Sequence, residues 1–198
     1  MNVAFGLRAH SGWAALVVVG KHHGDFVIVD RRRIELVEDE WQKQPYHAAE
    51  NLKRDGARDL VKRGIAVARR KAGKELRAAL KRERQRENEV TACAVLVTDP
   101  MPAWSTEEIL AVHFRMHKAE GVLFRDALIH AARVCRLAVV AIPEKHLAEQ
   151  AANALHTRAN DLSDTISTLG KSVGPPWGKD QKEAATAALV ALHTRRNE

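Results

Sequence analysis

Fourteen lysines and arginines fall between Lys53 and Arg86, against four acids, Asp55, Asp59, Glu75 and Glu83. That segment carries a net charge of +10 in a chain whose total is +7, so the remainder is net negative. A concentrated run of cations on one helix is the electrostatic footprint of a protein that binds a phosphate backbone. Lys62, Arg63, Arg69, Arg70, Lys74 and Arg77 are the residues expected to make such contacts, with DNA or RNA. The alternative is a solvated outer face, or a surface that meets an acidic partner chain. No aromatic residue interrupts residues 53–86, so base stacking on single strands has no support there.

Other constellations are weaker. Asp30-Arg31-Arg32-Arg33 places Arg31 and Arg33 on one strand face and Arg32 on the other. Such a cluster guards a sheet edge against aggregation, or holds an anion. His113 and His117 stand at i, i+4 with Glu120 one turn on, the spacing of a zinc-binding helix. No Glu follows His113, and Arg115 and Lys118 add positive charge, so the sequence argues against a metal there. His22-His23 reads as an exposed hairpin tip. Gly170-Lys171-Ser172 ends like a phosphate-binding loop, but Thr165 replaces the required glycine and no strand precedes it. Gly174-Pro175-Pro176-Trp177-Gly178 is a rigid loop that bears an indole and leads into Asp180; it either borders a functional cleft or plugs the last helix onto the sheet through Trp177. Cys93 and Cys135 read as small hydrophobes.

The elements that position these residues follow from periodicity. Val3–Arg8, the apolar run Trp13–Val19 and Phe26–Leu36 read as strands, joined by turns at Ser11-Gly12 and His23-Gly24-Asp25. Turns this short imply antiparallel hairpins. Residues 46–88 lack proline and repeat apolar positions at helical spacing, with Gly56, Gly64 and Gly73 as interruptions. Val90–Thr98 is a continuous apolar strand closed by Asp99-Pro100. Ser105-Thr106-Glu107-Glu108 is a capping box opening a helical region with a break near Gly121. Leu137–Ile142 is a fifth strand. Glu144–Arg158 is helical, Gly170–Gly178 a loop, and Lys179–Arg195 a last helix.

The 198 residues, 45% hydrophobic, suit one domain with a real core. Two cysteines make no disulfide framework. The charge-free stretch from Ala9 to Gly20 is too short to cross a bilayer. Trp13–Val19 lacks a following cleavage site, so a cytoplasmic chain with no membrane partner is expected. The order is three antiparallel strands, then α/β units: a mixed five-stranded α/β sheet flanked by helices, with one long basic helix.

That order is the order of the ribonuclease H-like superfamily. The hairpin Gly6-Leu7-Arg8-Ala9-His10-Ser11-Gly12-Trp13 resembles the first hairpin of its RuvC-like, Holliday-junction resolvase branch. The Asp30–Leu36 and Pro45–Ala49 blocks resemble an uncharacterised bacterial subfamily of this fold. The resemblance implies two divalent metals, Mg²⁺ or Mn²⁺, on carboxylates from strand one, the end of strand four and the final helix. Such ions clamp the attacking and leaving oxygens of phosphoryl transfer. Asp99 stands at the end of strand four, and Asp180 and Glu183 on the final helix. Asp99 and Asp180 are the implied metal ligands. Residues 1–24 contain no acid, and the expected strand-one position falls near Ala4 or Phe5. His10 stands closest as a substitute ligand or base. The ordinary reading gives Asp99 to its turn, and Asp180 and Glu183 to a helix N-terminus.

Two function classes follow. One is a nucleic-acid-binding protein or degenerate metal-dependent nuclease using Asp99, Asp180, Glu183 and His10. The other is a non-enzymatic protein that binds a partner or a small anionic ligand near Gly6–Gly12. A homodimer formed along the basic helix fits its length.

Overall fold

The computed structural model describes residues 1–194. Three strands come first: β1 (Asn2–His10), β2 (Trp13–His22) and β3 (Asp25–Glu35). Helices α1 (Pro45–Ala49) and α2 (Arg54–Gln85) lead to β4 (Glu89–Val97). Helices α3 (Thr106–Leu110) and α4 (His113–Val134) precede β5 (Ala138–Pro143). Helices α5 (Leu147–Leu155), α6 (Ala159–Val173) and α7 (Lys179–Thr194) complete the described chain. The strand order is β3-β2-β1-β4-β5. The β1–β2 and β2–β3 pairs are antiparallel, and the β1–β4 and β4–β5 pairs are parallel. This is the expected mixed α/β sheet of ribonuclease H-like type.

The first hairpin closes so tightly because Gly12 sits at φ +86, a backbone conformation that suits glycine. In β1 the side chains alternate. Val3, Phe5, Leu7 and Ala9 enter a core with α2 and α4, while Ala4 enters a second core with α7. The even residues Gly6 and Arg8 share the face of Ala4. Helix α7 reaches this face through Ala184, Ala185, Ala187, Ala188 and Ala191, whose small side chains let its backbone approach the sheet.

Several boundaries differ from the sequence reading. The 46–88 segment is two helices, broken at residues 50–53, and α2 alone spans about 48 Å at 1.5 Å per residue. Gly64 serves helix packing rather than sheet packing. A Cβ there would lie 2.7 Å from Pro45 Cβ of α1. The Ser105 capping box forms, with Glu108 N–H donating to Ser105 Oγ at 3.2 Å. The following helix breaks at residues 111–112, not at Gly121. The expected loop from Gly170 begins only at Gly174, because α6 runs to Val173. Gly170 stays helical under Trp177, whose indole Nε1 donates to Ile166 O at 3.1 Å. Trp177 therefore packs onto α6 and borders the core that α7 shares with the sheet. Arg195, the expected end of the last helix, lies outside the described residues.

Cys93 lies fully buried in β4, and burial pushes its thiol up to about 12. The thiolate is the reactive form, so native Cys93 is expected to resist alkylation at mildly alkaline pH. Mass spectrometry after iodoacetamide treatment checks this: native protein should stay unmodified at Cys93 until it is unfolded.

Candidate functional site

Parallel strands bring their carboxyl ends to one edge of a sheet, where sites of α/β proteins gather. Here Arg8 of β1 lies one residue past the Leu7–Val95 register pair with β4. β5 ends beside it at Pro143 and is followed at once by Glu144. The first turns of α7 deliver Asp180 and Glu183 to the same point.

The guanidinium of Arg8 is the centre of this cluster. Its Nε stands 2.9 Å from Asp180 Oδ1, a charge contact rather than an aligned hydrogen bond. Its Nη1 pairs with Glu183 Oε2 and stands 3.8 Å from Glu144 Oε2. Each carboxylate also has a second basic neighbour. His10 Nε2 is 3.0 Å from Asp180 Oδ1, Lys179 Nζ is 3.7 Å from Glu183 Oε1, and Arg125 Nη2 is 2.6 Å from Glu144 Oε1. The His10 ring is held by stacking on Trp13, centroids 4.4 Å apart. Arg8 is only 12% exposed, so these interactions are poorly screened by water.

Asp99 is engaged elsewhere. Lys145 Nζ donates to its Oδ1 at 2.6 Å, and that hydrogen bond and charge hold the carboxyl below its usual range. The structure thus gathers three of the expected residues, His10, Asp180 and Glu183, around Arg8. It adds Glu144 and Arg125, which the sequence reading missed. Glu144 had a signal: it directly follows a parallel strand, as Asp99 nearly does. A divalent ion needs hard oxygen ligands with negative charge to spare. Here three carboxylates face Arg8, Arg125 and Lys179, and β1 contributes no acid. With Arg8 in place, this donor set does not fit a two-metal centre.

The flanking surfaces are built from the same cations. Arg31 of β3 donates to the carbonyls of Val173 and Pro175, each at 3.0 Å, and to that of Pro176. It fastens the Gly174–Gly178 loop beside α7. Arg32 turns to the other face, where Asp30 holds it at 2.8 Å and also meets Arg82 of α2 and Arg86 just beyond its end. Arg33 lies over the Trp13 ring. The Gly6–Gly12 hairpin is covered at both glycines, Gly6 by α7 and Gly12 by Lys43 and Val37. A pocket of about 330 Å³ opens between α5, α6 and α7, bordered by Glu144 and Glu183.

The six expected backbone-binding residues, Lys62, Arg63, Arg69, Arg70, Lys74 and Arg77, are all exposed. At helical spacing they cover roughly 140° of α2, opposite its buried Val61, Ala68, Ala72 and Leu76. Of the six, Arg70 alone meets a carboxylate within 4.0 Å among the described residues, Glu38 at 3.2 Å. Helix α2 packs on the β1 face opposite α7, so its basic surface and the Arg8 cluster lie on opposite sides of the sheet.

The strand order and the flanking helices make a ribonuclease H-like fold of the RuvC kind. Among solved structures, the chain is similar to Thermus thermophilus RuvC, with 15% identity and a TM-score of 0.51, covering 98% of this chain and 96% of that one. It is likewise similar to T. thermophilus RuvC in complex with Holliday junction substrate, with 14% identity, a TM-score of 0.52, and coverage of 99% and 96%. No family model matches the chain, and no curated protein matches it. Among the described residues, no helix is long and apolar enough to cross a membrane.

Proposed function

We propose that this is a nucleic-acid-binding RuvC-like protein that does not hydrolyse what it binds. The observation that carries binding is the outer face of α2, with six exposed cations of which five lack a carboxylate partner among the described residues. Unpaired cations along a helix release counterions when they meet phosphates, and this drives association. The solved RuvC complex with a Holliday junction makes a branched DNA the first substrate to try. Loss of hydrolysis is the reading that Arg8 supports, because a fixed guanidinium takes the carboxylates that Mg²⁺ or Mn²⁺ would need. The separation of the two surfaces agrees with this: a duplex lying along α2 is remote from Asp180 and Glu183. A homodimer formed along the same face would set like charges against each other, so that face is assigned to nucleic acid.

The test is binding of labelled duplex, single-stranded and four-way-junction DNA, and RNA, across a salt series with and without Mg²⁺ or Mn²⁺. A slope of log K against log salt of about −5 is expected if all six cations meet duplex phosphates. Replacing Arg69, Arg70, Lys74 and Arg77 by alanine should flatten it by about four units on the same basis. Gels of the same samples should show intact substrate. No binding at low salt overturns the nucleic-acid reading. Metal-dependent cleavage that Asp180→Asn abolishes overturns the loss of hydrolysis.

A further inference from the structure

A second cluster lies on the other side of the sheet, remote from Arg8. His47 of α1 joins His113 and His117 at the start of α4, and one ring nitrogen of each lies within 4.8 Å of the others. Two of the three ring pairs stand edge to face and the His47–His117 pair is tilted, with centroids 4.6 to 5.1 Å apart. His113 Nε2 and His117 Nε2 approach to 3.0 Å. Two imidazole nitrogens at that distance either share a proton or turn their lone pairs toward a common cation.

The third histidine decides between these. His47 Nδ1 is 2.7 Å from Glu120 Oε2, and the His47 backbone N–H donates to Glu120 Oε1 at 3.1 Å. Glu120 is 4% exposed, so this carboxylate is a buried and fixed acceptor. A carboxylate only accepts, so Nδ1 donates to Glu120, and in the neutral ring Nε2 carries the lone pair. That Nε2 is buried and has no hydrogen-bond partner. A buried unpaired acceptor beside two further imidazoles is costly unless something positive meets it. A histidine oriented by a carboxylate through its other nitrogen is the usual support of a metal-bound imidazole.

The two cations that seemed to crowd the site are turned away. Arg115 lies over the Trp104 ring and donates to Glu108 O at 2.9 Å. The charge of Lys118 acts on Asp99. The positive end of α4 opposes a cation, and the Glu120 carboxylate one turn beyond offsets it.

We propose that His47, His113 and His117 bind one borderline transition-metal ion of the Zn²⁺ class, positioned by Glu120. Zn–N bonds of about 2.0–2.1 Å place tetrahedral ligands a little over 3 Å apart, so small rotations of the two exposed rings complete the set. Three imidazoles without a thiolate suit Zn²⁺, Co²⁺, Ni²⁺ or Cu²⁺ over Mg²⁺. His113 and His117 are exposed, so the fourth position opens to solvent and takes water or an exchangeable ligand. The ion ties α1 to the first turn of α4.

The full chain, stripped with EDTA and dialysed, is titrated with Co²⁺ while visible absorption is read. One equivalent with the strong absorption of four-coordinate cobalt, and without thiolate charge-transfer bands, is expected. Glu120→Gln should weaken binding by about 10–100-fold. His113→Ala and His117→Gln should each weaken it more, and both positions are exposed, so folding is retained. Zn²⁺ should raise the Tm of the wild type and not of these two variants. His22→Ala/His23→Ala should bind as the wild type does. Absent or weakly coloured six-coordinate cobalt, or binding unchanged in His113→Ala and His117→Gln, overturns the site.

Discussion

Gly6→Ala should destabilise the protein by about 3 kcal/mol or more, at the upper end of what overpacking costs. A Cβ at this position would stand 1.8 Å from Ala184 O and 2.8 Å from Ala188 N. Both atoms belong to the α7 backbone, so no side chain can rotate aside. Either α7 lifts from β1 or β1 shifts against its neighbours. Lifting α7 would loosen the second core, and it would carry Asp180 and Glu183 away from Arg8. At about 2–4 °C per kcal/mol for a chain of this size, the Tm should fall by roughly 6–12 °C. Gly121→Ala is the matched control. Gly121 lies within α4, and a Cβ there meets nothing within 4 Å. That substitution should stabilise by about 0.5–1 kcal/mol, the helix preference of alanine over glycine. Chemical denaturation of both variants checks the contrast. Equal effects from the two would mean that α7 does not rest on β1 as described.

Gly6 also shows what the sequence could and could not reveal. The strands were legible because β2, β4 and β5 are apolar runs rich in β-branched residues, and short turns at Ser11-Gly12 and His23-Gly24-Asp25 set off β1 and β3. The Ser105 cap was legible because a capping box is local. Helix α6 was not, since Gly170, Gly174 and two prolines together look like a loop. Only Trp177, folding back over Gly170, makes that glycine the residue that fits within a helix. The candidate site divides in the same way. Asp180 and Glu183 share a helix turn and were visible as a pair. The partner that makes them a site, Arg8, comes from β1, and pairing over that distance leaves no local pattern. His47 is missed for the same reason: its carboxylate partner Glu120 is 73 positions away. The sequence also made Arg115 and Lys118 look like obstacles to a metal, because spacing alone does not show which way a long side chain turns.

Arg8→Met should open the carboxylate edge to a divalent cation. Methionine keeps an apolar stem of similar reach against α7 and removes only the charge. Asp180, Glu183 and Glu144 then converge with Arg125 and Lys179 as their remaining strong cations. Removing one partner of a fully buried ion pair costs about 3–5 kcal/mol. The three carboxylates retain 26–30% exposure, so water screens part of this and about 2–3 kcal/mol is expected. The Tm should fall by roughly 4–12 °C in metal-free buffer. Millimolar Mg²⁺ should recover part of that loss, because a ligand that binds only the folded state stabilises it by mass action. The wild type should show no Mg²⁺-dependent rise, since its guanidinium already satisfies the oxygens. Mg²⁺ is the ion to use, because three imidazoles bind it poorly and the His47 cluster stays silent. A rise of equal size in the wild type would show that Arg8 does not exclude the cation, and the non-hydrolytic reading would fall with it. A rise confined to Arg8→Met would assign to one residue the difference between a carboxylate edge that holds an arginine and one that holds a metal.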